Sequence, residues 1–282
     1  MDAVQEEVWL GSIPVCVELA GDEVVGAKAP RPYWAMVPRM SYLPTLAGAL
    51  RTHFSDSIAQ LSYRGGLKRV DEDSEGTEEE PGFSRVWFSA PEPLRWQRPA
   101  GVLYDACGGG SLPWRVVVHF SNYPRSLLDL EEDTCERTFF HALKQAVHLE
   151  TGTARAALVM PRVQQSALWK AVASGDRAAF AAADVKNESP LEAPPRSVPV
   201  RLVLEAGKTV VQLPFSAYDS RGRKRTLGET LLDGDRLEFL TDASALRAHA
   251  VDLDPDLPLI DTWKALRHAD HFLYVLVSHT QR

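Results

Sequence analysis

The chain has 282 residues, 45% of them hydrophobic and 24% charged, with a net charge of −7. This is a globular composition, long enough for two or three small domains, and its acidic balance excludes a general nucleic-acid binder, whose footprint is a basic excess. No apolar run approaches the ~20 residues that span a bilayer.

Val8 to Leu19 is predicted as a strand, or a strand pair broken near Gly11, because Ile13, Val15, Val17 and Leu19 alternate. Tyr33-Trp34-Ala35-Met36-Val37 is a second strand, stopped by Pro38. Pro44 to Ile58 reads as a helix, with Pro in the first turn and Leu46, Leu50 and Phe54 at helical spacing. Residues 62–82 hold the run Asp71 to Glu80, too charged to pack, and are predicted as a disordered acidic insertion. Arg85–Phe88 resumes the sheet, Gly101–Ala106 is a short helix, Gly108-Gly109-Gly110 a turn, and Arg115–Phe120 closes the module.

From Asp133 the period becomes helical. Asp133 and Glu136 have capping-box spacing ahead of a helix to about His148, and Ala154–Met160, Val163–Ala173 and Asp176–Ala183 follow, the last with Asp176 as N-cap. Residues 187–199, with four prolines, read as a stiff linker. The last block repeats the first in outline. Val198–Leu204, Thr209–Phe215, Arg236–Leu240 and Phe272–Val277 are strands; Thr226 with Glu229 has capping-box spacing before a helix ending near Leu232, and Leu259–Leu266 is a further helix. Small α+β modules of ubiquitin-like (β-grasp) order around a helical middle are the expected architecture.

The candidate chemistry is sparse. Cys16, Cys107 and Cys135 form no CxxC pair or disulfide framework, which suits a reducing cytosol, and Met1-Asp2-Ala3-Val4-Gln5-Glu6-Glu7 lacks the features of a secretory signal. A thiol enzyme would pair one cysteine with His53, His119 or His141, yet Cys16 sits in an alternating strand and Cys107 before a glycine turn, which favours buried or incidental roles. The glycine run lacks the Lys-Ser/Thr of a phosphate loop, and the histidines lack metal spacing. No catalytic residue, cofactor site or metal site is therefore expected. Arg221-Gly222-Arg223-Lys224-Arg225 is either a contact for anionic lipid or an acidic partner, or a solvated loop. Trp96, Trp114, Trp169 and Trp263 are expected in the core, with Trp9, near the N-terminus, the exception available to a partner.

Several stretches, in order, carry a resemblance. They are Val8-Trp9-Leu10-Gly11-Ser12-Ile13-Pro14, Pro38-Arg39-Met40-Ser41-Tyr42-Leu43, Pro93-Leu94-Arg95-Trp96, Pro99 to Asp105, Leu112-Pro113-Trp114 with His119-Phe120, Phe140 with Lys144, Leu168-Trp169 with Gly175-Asp176, Thr226-Leu227-Gly228 and Asp270-His271-Phe272-Leu273-Tyr274. As an ordered set they resemble the family of autophagy-related protein 5. The acidic insertion and the Ala-rich central helices depart from its pattern.

The resemblance implies an α+β fold with two ubiquitin-like domains flanking a helix-rich one: residues 1–126, 127–186 and 200–282, with the linker between the last two. It implies a non-catalytic scaffold that accepts the ubiquitin-like autophagy-related protein 12 through an isopeptide bond, or holds it non-covalently. The scaffold binds the coiled-coil autophagy-related protein 16 and promotes transfer of autophagy-related protein 8 from its loaded conjugating enzyme to phosphatidylethanolamine. The implied location is the cytoplasm, peripherally on the preautophagosomal or isolation membrane. By position the acceptor maps to Lys144. On a helix, Phe140, Lys144 and His148 share one face and Leu143 and Val147 an adjoining one, which puts Lys144 at the edge of the buried face; an ordinary solvated helix lysine is the plain alternative. Trp9, Phe140 and His148 are the expected partner-binding residues.

Overall fold

Alternation of Ile13, Val15, Val17 and Leu19 produces β1 (Ser12–Leu19), with those four side chains buried. β1 pairs antiparallel with β2 (Tyr33–Pro38) and parallel with β4 (Trp114–His119); β3 (Trp87–Ser89) completes the order β2-β1-β4-β3. A parallel pair needs a long crossover, and the intervening chain supplies α2 (Ala47–Arg64), after a 3-10 turn at Leu43–Leu46, and α3 (Ala100–Cys107). Leu50, Phe54 and Leu103 from these helices close one core with the strand residues Val15, Val17, Trp114 and Val116. The computed structural model describes residues 2–25, 28–64, 86–130, 133–185, 195–204, 207–231 and 244–279. The expected acidic insertion lies outside the described residues from 65 onward; residues 62–64 belong to α2, not to the insertion.

One sequence expectation is overturned at the start of the chain. Val8 to Leu10 is not strand but the end of α1 (Asp2–Leu10), closed where the Gly11 N–H donates to the Glu7 carbonyl at 3.1 Å.

The middle of the chain is helical: α4 (Thr134–Thr151), α5 (Arg155–Leu158), α6 (Arg162–Ser174) and α7 (Arg177–Ala183). α4 and α6 end on Gly152 (φ +81°) and Gly175 (φ +73°), the left-handed C-terminal position that favours glycine. Asp176 caps α7 as expected, accepting from the Ala179 N–H at 2.9 Å. Asp133 precedes α4 but makes no capping hydrogen bond; it pairs instead with Arg137 at 3.2 Å.

The second sheet repeats the first pattern. β5 (Val198–Leu204) pairs antiparallel with β6 (Thr209–Phe215) and parallel with β9 (Leu273–His279); β7 (Ser244–Ala248) and β8 (Val251–Asp252) extend it to the order β6-β5-β9-β7-β8. Val198 and Pro199 are therefore strand, not linker; residues 187–194 of that stretch, and the expected strand at Arg236–Leu240, lie outside the described residues. The capping box ahead of α8 (Leu227–Leu231) is reciprocal: the Glu229 N–H donates to Thr226 Oγ1 at 3.2 Å, and the Thr226 N–H to Glu229 Oε2 at 3.0 Å. α8 and α9 (Leu259–Leu266) set Leu227, Leu231, Ile260 and Trp263 against the sheet. Two ubiquitin-like domains thus flank a helical bundle.

Candidate functional site

α4 is the element around which the molecule is assembled, because three of its sides are occupied. Phe139, Leu143 and Val147 enter the core of the helical bundle. Ala142 and Ala146, small enough for close approach, pack in a separate cluster with Val102 of α3, Val203 of β5, and Phe272 and Tyr274 at β9. At its C-terminal end Glu150 turns a carboxylate into the seam with the second sheet. His141, Gln145 and His148 face solvent.

Lys144 is half-exposed, on the rim between these surfaces: Phe140, one turn before it, is buried against Phe139 (ring centroids 5.1 Å apart), and His148, one turn after, is exposed. Trp9 is placed differently from expectation. It is 8% exposed, with its ring 4.4 Å from that of Phe180, and belongs to the helical core; α1 turns it inward as it packs on α7 and α9. The exposed tryptophan is Trp34, at 61%. Trp96, Trp114 and Trp263 are buried, as expected, and Trp169 is half-buried against the helical core.

The first ubiquitin-like domain joins the helices through apolar contact. Met40, Tyr42 and Trp96 sit in one cluster with Phe139 and Val172, and Ser41 Oγ donates to the Ala173 carbonyl at 3.1 Å. The second joins through both kinds of contact: beside the apolar packing of Ala142 and Ala146 on Val203, Phe272 and Tyr274 lies a buried charged cluster. His271, 2% exposed and with φ +65°, stands between Glu150 (Nδ1 to Oε1, 2.9 Å) and Asp184 (Nε2 to Oδ1, 3.0 Å), with Arg267 4.0 Å from Glu150. Burial and Arg267 oppose a charged ring, but the two carboxylates prevail and hold the imidazole up to about 9. Beside it, Arg201 donates to Tyr274 Oη at 2.6 Å and to Gln145 at 3.2 Å, and Tyr274 donates to the buried Asp270 at 2.7 Å. Sequence reasoning assigned none of these groups a role, although Asp270-His271-Phe272 stood in a matched stretch; nothing local shows that the partners of His271 lie on α4 and just past the end of α7.

The two ubiquitin-like domains also touch. Buried Arg98 donates to the Gly207 carbonyl, and Lys208 pairs with Glu92 at 3.0 Å.

The rival chemistries fare differently. Burial raises the pKa of the Cys16, Cys107 and Cys135 thiols, the opposite of what a nucleophilic thiol needs. His119 shares a hydrogen bond with Ser89 Oγ (2.9 Å) and stacks on Trp87, while His53 bonds the Arg31 carbonyl. Among the described residues no group of three His, Cys, Asp or Glu side chains is arranged to hold a metal ion, and no helix is long and apolar enough to cross a membrane. Within the basic stretch, Arg223 pairs with Asp219 and Glu229, and Lys224 with Asp261, so much of its charge is internally neutralised.

Three family models match: "Autophagy protein ATG5, UblA domain" over residues 8–120, "Autophagy protein ATG5, alpha-helical bundle region" over 132–186, and "Autophagy protein ATG5, UblB domain" over 197–277. Autophagy protein 5 of Oryza sativa subsp. japonica is 32% identical over 173 residues, covering 60% of this chain but 40% of its own length. Autophagy protein 5 of Aspergillus oryzae is 30% identical over 230 residues (72% of this chain, 66% of its own), and that of Aspergillus clavatus 29% over 289 residues (90% and 84%). The crystal structure of Kluyveromyces marxianus Atg5 superposes with a TM-score of 0.77 at 20% identity, over 99% of this chain and 100% of that one, which establishes a shared fold.

Proposed function

From the premise that the chain belongs to the autophagy protein 5 family, we propose that it serves autophagy as a non-catalytic scaffold and acceptor. In this reading Lys144 Nζ attacks a thioester carbonyl at the C-terminus of autophagy-related protein 12, forming an isopeptide bond and releasing the conjugating enzyme's thiol. The conjugate binds autophagy-related protein 16 and, on the cytoplasmic face of the isolation membrane, favours transfer of autophagy-related protein 8 to phosphatidylethanolamine by proximity and orientation.

The observation that carries the reading is the setting of Lys144: a partly exposed lysine on a helix packed against all three domains. His148 is the neighbouring surface residue for a docked ubiquitin-like protein, while Phe140 acts from below by holding the helix in place. Trp9, being buried, is left out of the partner surface. Co-expression with the conjugating machinery and its ubiquitin-like partner tests the proposal. Wild type should gain the mass of one ubiquitin-like protein, and Lys144→Arg should abolish the gain. A complex that survives Lys144→Arg but separates in denaturant replaces the bond with non-covalent binding. Absence of both shift and complex removes the reading.

A further inference from the structure

The first sheet has an open edge whose pairing groups can be identified from register. β1 and β2 pair with Ser12 opposite Pro38 and, in step, Pro14 opposite Met36 and Cys16 opposite Trp34. One residue beyond the ladder, the Arg39 N–H donates to the Gly11 carbonyl at 2.9 Å, so that position is a hydrogen-bonded one. Such positions alternate in an antiparallel pair. Val37, Ala35 and Tyr33 therefore turn their N–H and C=O groups toward β1, and Met36 and Trp34 turn theirs away. Pro14, which has no N–H to give, falls on the side where β2 does not need one. The Pro38 carbonyl is taken by the Ser41 N–H at 3.0 Å; among the described residues no backbone hydrogen bond takes up the outward groups of Trp34 and Met36.

The same two residues are the exposed ones, Trp34 at 61% and Met36 at 64%. The six-residue strand carries no charge that would guard it, although edges are commonly blunted with Lys, bulges or covering loops. At its Pro38 end a cleft of about 590 Å³ opens toward α6, lined by Met36, Pro38, Leu46, Lys170 and Ala173. Exposed Arg31 precedes the strand, its carbonyl bonded to His53 at 2.9 Å. The edge is thus apolar and hydrogen-bond-hungry in its middle, with a cation at each end.

We infer that β2 is a docking site for an extended, apolar segment of another polypeptide flanked by acidic residues, which adds as a fifth strand beside Trp34–Met36 and sets a carboxylate toward Lys170. Only a strand meets the outward N–H and C=O groups at their spacing, alternate apolar side chains cover Trp34 and Met36, and the charges at the two ends complement acidic flanks. The site is independent of conjugation at Lys144.

Selection of a displayed library of random peptides on the full chain tests this. The expected winners alternate apolar residues and carry Asp or Glu at an end. Hydrogen exchange at the Trp34 and Met36 amides, resolved by NMR, should slow when a synthetic winner is added, while that of Val37 changes little. The double variant Trp34→Lys with Met36→Lys, both on exposed positions and so compatible with the fold, should weaken binding at least about tenfold, the loss of about 1.4 kcal/mol. Lys170→Glu, off the strand, should select basic in place of acidic flanks. Melting curves matching wild type show that both variants are folded. No consensus, a helical consensus, or binding indifferent to these variants overturns the proposal. So does a concentration-dependent dimer in sedimentation that is abolished by the double variant, since a second copy would then be the occupant.

Discussion

The two ubiquitin-like domains are built alike and attached differently. Each places its first and last strands in parallel at the centre of a sheet, yet the first meets the helical bundle with Met40, Tyr42 and Trp96, and the second adds to the apolar contacts of Val203 and Phe272 the charged groups His271 and Arg201. Apolar burial is non-directional and insensitive to pH, whereas a buried ion network needs every member in the right protonation state. The same fold used twice in one chain should therefore be joined by one seam that tolerates pH change and one that weakens with it, as its charged part is lost.

The strongest way to break this contrast is Trp96→Ala. It empties a site that is 1% exposed and leaves Tyr123 Oη and the Leu128 carbonyl without the indole donor. A loss of about 4 kcal/mol in urea unfolding is expected, the same at pH 6 and pH 9. Next is His271→Asn, which accepts the left-handed backbone but strands two carboxylates; about 3 kcal/mol should be lost near neutral pH. That loss should shrink as pH rises. His271 has its pKa raised from 6.5 to about 9 on folding, so its contribution is complete below 6.5 and disappears as pH passes through 9. Asp184, by contrast, is lowered despite burial because His271 faces it, so its share is present above its ordinary value of 3.8 and fades as acid is added. Wild-type stability measured across pH 6 to 10 should fall while the His271→Asn curve stays flatter; parallel curves would refute the charged seam. Gly175→Ala should cost about 1–2 kcal/mol, because φ is +73° and its Cβ would lie 2.8 Å from that of Pro38. Smallest is Lys144→Arg, within about 0.5 kcal/mol of wild type by melting, which separates any effect on conjugation from one on folding.

Much of the fold was legible because local signals agreed with global ones. β5, β6 and α9 fall where their periodicity put them, and Asp176 and Thr226 cap as their spacing indicates. α1 failed because Val8-Trp9-Leu10 alternates weakly and its helix is fixed by distant contacts with α7 and α9, which no local pattern reports. β7 and β8 were missed because Ser244–Ala248 is short and the turn between them uses His249 and Ala250 at positive φ, in place of the usual Gly or Asn. The edge was illegible for a sharper reason. Tyr33 to Val37 was recognisable as a strand, but which of its residues face outward depends on register, and a slip of one residue would exchange Trp34 for Ala35. The Lys144 rim position, by contrast, follows from helical spacing alone, since Phe140, Leu143 and Val147 mark the buried arc.

Because α4 is gripped from both flanks, by the bundle on one and by Val203 and Phe272 on the other, it has no freedom to roll about its own axis. Any protein tethered to its rim would inherit a fixed compass bearing, able to swing only as far as its own tail permits. Shaving a methyl from either flank, well out of sight of the amine, should slacken that bearing before it harms anything else.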